Sequence, residues 1–334
     1  MHVSARKVLS STQKNSSSNT WRRASSALRD SIMSSPFPPS IKTVGLFSLS
    51  GVVDEERLNN GLARLATWGI RAVLPRMATP LPYLSGTDEE RLRMFYEVLD
   101  NPNVDALMAL RGGYGVTRIL DDLDWPRILK RDLPVIGYSD VTAFLMAAWK
   151  NGCTKLIHGP MLCSTFGYAD DNVEAANAAD ISANALRECL SGNPFPMLPD
   201  IKPTPIRPGA ATGAVVPMNF TLLRSLIGTP HLSLLDNAIL LVEDVDEAAY
   251  SVDRMLAQLK SSGILQKLAG LLFGQFTNGE HPELLPELFE HYAQFVNGPV
   301  ASGFPVGHDK PVTSVHFGAV ITVNVSGDEV KLRS

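Results

Sequence analysis

Ser139, seven histidines and the adjacent acids Glu243 and Asp244 are the residues of this 334-residue chain whose types could assemble acyl-transfer chemistry. A serine hydroxyl is a weak nucleophile at neutral pH, so a base within hydrogen-bond reach must take its proton, and a further group must orient that base. Ser139 lies in Gly137-Tyr138-Ser139-Asp140, after Pro134-Val135-Ile136, which reads as a short buried strand. Residues 141–149 read as a helix closed by Gly152. At such a turn the hydroxyl stands clear of the sheet, and backbone N–H groups at the helix start favour developing negative charge. The pattern resembles a nucleophile elbow but lacks the second glycine of G-x-S-x-G. Taken alone, Ser139 reads more plainly as an N-cap.

Among the histidines, His2 falls in the N-terminal tail, His281 and His291 flank or sit on a polar helix, and His231 follows a Gly-Thr-Pro turn; all read as surface residues. His316 sits in an alternating strand. His158 ends a short strand before Gly159-Pro160, where a structural hydrogen bond is the plainer role. His308 stands out, because Phe304-Pro305-Val306-Gly307-His308-Asp309 is a loop punctuated by glycine and proline, and loops on rigid scaffolds carry reactive groups. Leu240-Leu241-Val242 reads as a buried strand that delivers Glu243 and Asp244. Either acid could orient a base, and both could equally cap the following helix.

The elements that must position these residues alternate. Thr43-Val44-Gly45-Leu46-Phe47 reads as a strand, residues 54–68 as a helix with Leu58, Leu62 and Leu65 on one face, and residues 70–74 as a strand. A capping box of Thr87 and Glu90 opens the next helix. A strand over residues 104–110 leads into Arg111-Gly112-Gly113-Tyr114-Gly115 and then a helix through Ile119 and Leu123. Such alternation predicts a parallel sheet with helices on both faces, with the Gly-Gly loop and Ser139 converging at the carboxyl ends of strands. Six prolines in residues 191–208 read as a linker. A second unit follows, with a strand over residues 212–216, a helix capped by Asn219, the strand before Glu243, and a helix closed by Gly263. A strand over residues 268–273, a helix over 284–295, and short strands near Val300 and over 315–325 complete it.

Bulk properties narrow the functions available. An apolar fraction of 45% suits a globular chain of two domains. A net charge of −4 and a pI near 6.0 give no electrostatic support for nucleic acid or an anionic membrane as partner. Cys153, Cys163 and Cys189 lack the paired spacing of a zinc site and fit free thiols in a reducing compartment, so no metal or cofactor is called for. No apolar run approaches the length that spans a bilayer. Residues 1–40 are rich in serine and basic residues, with Asp30 as the only acid, and read as a disordered tail. Their composition is of the organelle-transit type, though a dispensable extension with Met33 as the true start is the simpler account.

The ordered motifs resemble those of the LD-carboxypeptidases, serine peptidases that act as muramoyltetrapeptide carboxypeptidases in peptidoglycan recycling. The resemblance runs from about Thr43 to Val325. It is carried by Asp54-Glu55-Glu56-Arg57-Leu58, Gly86-Thr87-Asp88-Glu89-Glu90-Arg91, Leu110-Arg111-Gly112-Gly113-Tyr114-Gly115, Ile136-Gly137-Tyr138-Ser139-Asp140 and His158-Gly159-Pro160-Met161. Leu226-Ile227-Gly228-Thr229-Pro230, Val242-Glu243-Asp244-Val245, the stretch from Arg254 to Leu259, and Gly307-His308 continue it. The resemblance implies an N-terminal Rossmann-like domain (residues 41–165) carrying nucleophile Ser139, a connecting and linker segment (166–208), and a C-terminal α/β domain (209–330) carrying acid Glu243 and base His308. The active site would then form at the interface. It further implies an oxyanion hole from the Asp140 amide and the Gly112-Gly113 loop, with Tyr114 and Asn219 near the substrate. The implied substrate is a murein tetrapeptide losing its terminal D-alanine, and the implied setting a cytoplasmic homodimer.

One departure stands out: the family has Gly-Gly-Asn where this chain has Pro217-Met218-Asn219, which predicts a stiffer, bulkier loop beside the crevice. Rival readings are a same-fold immunity peptidase that cleaves peptidyl-nucleotide antibiotics, a dinucleotide-binding oxidoreductase, and a catalytically dead binding protein. The glycine loop lacks the G-x-G-x-x-G fingerprint that the oxidoreductase requires.

Overall fold

Alternating buried strands and amphipathic helices build two sheets in a computed structural model that describes residues 35–168 and 172–334. In the first sheet β1 (Thr43–Phe47) leads through α1 (Glu55–Thr67) to β2 (Arg71–Val73), and α2 (Asp88–Leu99) leads to β3 (Ala106–Ala109). Next come α3 (Trp125–Arg131), β4 (Val135–Gly137), α4 (Val141–Lys150) and β5 (Leu156–His158). The strand order β5-β4-β3-β1-β2 is parallel throughout. Chain order reverses between β1 and β3, so the loops leaving these two strands flank the place where such sheets open a crevice. The capping box forms as expected, Thr87 Oγ1 accepting from Glu90 N and Glu90 Oε2 from Thr87 N.

The second sheet is mixed. After α5 (Val173–Leu190) and β6 (Thr204–Arg207), β7 (Gly209–Asn219) and α6 (Phe220–Leu226) precede β8 (Ile239–Val245), α7 (Ala249–Ser261) and β9 (Gly270–Thr277). Then follow α8 (Leu285–Ala293), β10 (Val300–Ser302), β11 (Val315–His316), β12 (Val320–Ser326) and β13 (Glu329–Arg333). Strands β7, β8, β9 and β10 run parallel, with β12 and β13 antiparallel at one edge and β6 antiparallel at the other. Strand β11 crosses over and pairs with β5, completing the first sheet from late in the chain.

Residues 141–148 of α4 are all buried, because the helix lies between the first sheet and the β7–α6 unit of the second. A helix apolar on every face must be covered on every face. The same apolar cluster runs from Phe47 and Phe144 through Val216 and Phe220 to Leu256 and Phe273, joining the two sheets. Ser139 therefore leads into the element both sheets clamp.

Several expectations need correction. Residues 166–208 do not simply connect: α5 fills residues 173–190 and buries Ala178, Ala179, Ala183, Leu186 and Cys189, while β6 pairs with β10. The helix expected through Ile119 and Leu123 is two 3-10 turns, Val116–Arg118 and Leu120–Asp122, since Asp124 caps α3 immediately afterwards. Most of the tail, residues 1–34 with His2 and Met33, lies outside the described residues. Phe37, within the expected tail, is buried with Ile41 and Trp68. Pro217-Met218 is the buried carboxyl end of β7 rather than a loop. There, beyond Ala214, β7 has parted from β12, and one free edge tolerates the missing proline donor.

Candidate active site

Ser139 sits between β4 and α4 with φ of +61°, left-handed backbone that strains a residue bearing a β-carbon by about 1–2 kcal/mol. The turn holds because the Ser139 carbonyl accepts from Thr142 N at 2.9 Å and from Thr142 Oγ1 at 2.7 Å. Gly137 permits the tight exit, since a β-carbon there would meet Val141 Cγ1 at 2.7 Å. The Gly-Gly loop converges on it as topology predicts. A β-carbon on Gly112 would stand 2.8 Å from Ser139 Cβ, 2.9 Å from its Oγ and 3.5 Å from Asp140 N. Backbone that close to a hydroxyl and a helix-start amide is what an oxyanion hole requires.

The loops are tied to the turn by side chains: that of Asp140, expected at the site only through its amide, and those of Ser50 and Arg91, which the sequence did not single out. Asp140 is buried, and its Oδ2 accepts from Ser50 Oγ at 2.7 Å and Val116 N at 3.0 Å, so its side chain clamps the loops after β1 and β3. Burial pushes its carboxyl up to about 6, against the pull of those hydrogen bonds. Gly51 N donates to Gly112 O at 3.2 Å. Arg91 is fully buried; its Nη1 donates to Leu49 O and, at 2.9 Å, to Gly115 O, and its Nη2 pairs with Asp88 at 2.5 Å. The hints in the sequence are that Ser50 follows the end of β1 and that Arg91 falls in the motif that opens α2 at the Thr87–Glu90 capping box.

The candidate acid and base come from the second half of the chain, Glu243 from β8 and His308 from the loop after β10. Between the pairs Val242–Phe273 and Asp244–Phe276, β9 carries one extra residue, so Gly274 and Gln275 together oppose Glu243 and the ladder is disrupted where Glu243 stands. Glu243 Oε2 lies 2.8 Å from His308 Nδ1, the carboxylate fully buried and the imidazole about one-fifth exposed. Asp244 does not take this role: its Oδ1 accepts from Asn219 Nδ2 and Val245 N, its Oδ2 from Thr221 N. Burial, then the charge of Glu243, pushes its carboxyl up to about 6. Burial alone would lower the His308 pKa, but the hydrogen bond and charge of Glu243, joined by Asp244, hold it above its ordinary value.

Gly274 makes this approach possible. A β-carbon there would lie 2.3 Å from Val306 O and 3.2 Å from Glu243 Cβ, on the line where Gln275 N donates to Val306 O at 2.8 Å. A glycine inside a strand signals close backbone approach, and that signal went unread in residues 270–277. Gly307, at φ +147°, is confined by Gln275 Cβ at 2.8 Å and Glu243 Oε2 at 3.3 Å from a notional β-carbon.

Tyr138 joins the halves. Its buried ring lies 5.1 Å from the His308 ring in an edge-on arrangement and 5.9 Å from that of His158. No hydrogen bond links Ser139 to His308; such contacts are often long without substrate and tighten on binding. His158 is buried with neither ring nitrogen hydrogen-bonded among the described residues, and burial pushes its pKa down to about 4. Tyr114 lies on the rim, half exposed, its ring 6.1 Å from that of Tyr83, and Gly113 beside it has φ +123°. Asn219 is buried; its Oδ1 caps α6 at Leu222 N, its Nδ2 holds Asp244, and its N donates to Thr142 Oγ1 at 3.3 Å. It thus reaches the Ser139 turn through Thr142. His231 meets Asp121, His281 meets Glu283, and His316 meets Thr154 O, all away from this cluster.

Among the described residues no cluster of His, Cys, Asp or Glu is arranged to hold a metal ion, and no helix is long and apolar enough to cross a membrane. Chemically, the arrangement offers a candidate nucleophile in Ser139, a candidate base in His308 with the buried Glu243 carboxylate on its ring, and backbone close to the Ser139 hydroxyl. Residues 44–159 match the LD-carboxypeptidase N-terminal domain and residues 212–323 the LD-carboxypeptidase C-terminal domain. A probable murein peptide carboxypeptidase of Bacillus subtilis is 32% identical over 291 residues, covering 85% of this chain and 89% of the relative. The crystal structure of muramoyltetrapeptide carboxypeptidase from Oxalobacter formigenes superposes with a TM-score of 0.75 at 27% identity, covering 87% of this chain and 97% of that one. The fold is also that of MccF in complex with glutamyl sulfamoyl guanosine, with a TM-score of 0.80 at 21% identity over 91% of this chain and 98% of the other. With both of its domains matched by the family's two models and a relative 32% identical along most of its length, the chain belongs to the LD-carboxypeptidase family of peptidases.

Proposed function

We propose that the chain is a serine-type LD-carboxypeptidase that releases the terminal D-alanine from murein tetrapeptides. The observation that carries this reading is the buried Glu243 hydrogen-bonded at 2.8 Å to His308, whose ring packs on the residue preceding Ser139. Ser139 Oγ attacks the carbonyl carbon at the L-centre of the diamino acid while His308 takes the hydroxyl proton. Negative charge on the carbonyl oxygen is met by the Asp140 amide and the Gly112-Gly113 backbone. The tetrahedral species collapses as His308 returns the proton to the D-alanine nitrogen, and the C–N bond breaks to leave an acyl-enzyme. Water, deprotonated by His308, then releases the shortened peptide and regenerates Ser139. Glu243 fixes the imidazole tautomer and stabilises its charged form throughout.

Mass spectrometry of defined muropeptides incubated with the protein tests this directly. The expected result is loss of one D-alanine from the tetrapeptide and an acyl adduct on Ser139 at short times, both absent in Ser139→Ala. An aminoacyl sulfamoyl nucleoside serves as the competing substrate. Cleavage of that compound with no action on the tetrapeptide would overturn the murein reading in favour of an immunity peptidase.

A further inference from the structure

The leaving group constrains where the rest of the substrate must lie. His308 returns its proton to the leaving nitrogen, and in a carboxypeptidase the next carbon along bears the free carboxylate. A negative charge therefore comes to rest close to the outer side of the His308 ring. His308 also lines a cavity of about 310 Å³, together with Tyr168, Asn172, Glu174, Asp309 and Lys310. Its volume exceeds that of a small amino acid, and Lys310 is its cation.

Lys310 is held rather than loose. Its Nζ donates to Tyr168 Oη at 3.2 Å and lies 4.6 Å from the centre of the Tyr168 ring, while the Arg57 guanidinium lies 4.6 Å from the same ring. Neither cation has a carboxylate within ion-pair distance among the described residues. Burial would raise the Tyr168 pKa, but the charges of Lys310 and Arg57 together hold it below its usual value, so the phenol reports a locally positive field. The two acids lining the cavity do not neutralise Lys310. Asp309 is exposed, with its amide tied to Gln275 Oε1 at 2.9 Å, and Glu174 is exposed on the first turn of α5. One Lys310 N–H is engaged by Tyr168, and among the described residues no other acceptor takes the remaining two, which can therefore meet an anion.

We infer that Lys310, oriented by Tyr168 and backed by Arg57, binds the terminal carboxylate of the peptide, making this cavity the subsite for the residue that is released. The inference rests on the peptidase reading above. Arg111 is the competing cation: its Nε donates to Gly112 O at 3.1 Å and its Nη1 to Val52 O at 3.0 Å, leaving Nη2 open. It stands with the oxyanion loop on the serine side, however, whereas the leaving amine must face His308.

The test compares a murein tetrapeptide with a free C-terminal carboxylate against its C-terminal carboxamide, using the full chain. The wild type should prefer the acid. Lys310→Met should lower kcat/KM on the acid about ten- to a hundredfold while leaving the amide nearly unchanged, the range expected for a charge-assisted hydrogen bond. Lys310→Arg should recover part of the preference, and Tyr168→Phe should weaken it. An acid-to-amide ratio unchanged in Lys310→Met overturns the inference, as does a ratio that collapses in Arg111→Met but not in Lys310→Met. Calorimetric binding of the two peptides to Ser139→Ala, with and without Lys310→Met, gives a readout free of turnover. A wild type that binds the acid over the amide without cleaving it would overturn the peptidase reading and leave the subsite supported; equal binding of both by Ser139→Ala would overturn the subsite.

Discussion

Glu243 Oε2 and His308 Nδ1 are 2.8 Å apart, with the carboxylate wholly out of water. The pair raises the His308 pKa above its ordinary 6.5 despite the opposing effect of burial. A base with a raised pKa stays protonated to higher pH, and only its neutral form accepts the Ser139 proton. The acidic limb of kcat/KM should therefore be centred above pH 6.5. In Glu243→Gln the raising influence is lost and burial remains, so the limb should move to lower pH while the plateau falls by roughly 10³–10⁴-fold. A pH–rate profile of both proteins checks this; a limb that stays in place in the variant would mean that another group titrates.

Gly112 is where side-chain size meets catalysis. A β-carbon 2.9 Å from Ser139 Oγ and 2.8 Å from its Cβ cannot be accommodated by a rotamer change, because the neighbour is the strained turn itself. Gly112→Ala should lower kcat on the order of a hundredfold, the usual consequence of displacing reacting groups by an ångström. Thermal unfolding should shift little, since Gly112 lies in a loop. Full activity in this variant would remove the loop from the oxyanion assignment.

Gly274 tests the opposite half. Its α-carbon lets Val306 O and Glu243 Cβ approach to distances that a methyl group would occupy, and both neighbours are backbone or backbone-proximal. Gly274→Ala should destabilise the fold by about 1–3 kcal/mol through overpacking. It should also reduce activity more than stability alone explains, as the His308 loop moves off Glu243. Urea denaturation together with kcat on the folded protein separates the two effects.

Asp140 links the nucleophile turn to both crevice loops through one oxygen. Asp140→Ala strands the Ser50 hydroxyl and the Val116 amide, and an orphaned buried donor costs about 1–3 kcal/mol. Asp140→Asn retains a carbonyl acceptor and should lose much less. Equal unfolding midpoints for the two variants would show that the clamp contributes nothing.

Local signals were the legible ones. The Ser139 turn, the Thr87–Glu90 box, the Asn219 cap and the left-handed Gly263 are each written within a few residues, and the structure forms all four. Convergence of Gly112 on Ser139 followed from sheet topology. The choice between Glu243 and Asp244 was not legible, because it depends on a bulge in β9, a strand more than twenty residues away. Gly274 and Arg91 escaped for the same reason: their partners, Val306, Leu49 and Gly115, are brought near only by folding. The α5 helix was readable in principle from its alanine content and the Asn172 cap, but neighbouring prolines drew the segment toward a linker assignment.

His158 offers a test in which stability and chemistry part company. Both its ring nitrogens are buried without hydrogen bonds among the described residues, and burial pushes its pKa down to about 4, outweighing the pull of the Glu243 charge. The unfolded chain takes up a proton at this residue below about pH 6.5, whereas the folded chain declines it until about pH 4. Stability that is present above pH 6.5 is thus lost progressively as pH falls through that window, at about 1.4 kcal/mol per pH unit. His158→Phe keeps an aromatic ring of similar shape and has no proton to gain. Its stability relative to wild type should therefore improve by about 2 kcal/mol between pH 7.5 and pH 5, read from paired urea titrations. His308 remains in place, so the acidic limb of activity should survive in the variant. If the two proteins lose stability in parallel on acidification, His158 is not held neutral in the fold, and its unpartnered nitrogens are satisfied in solution.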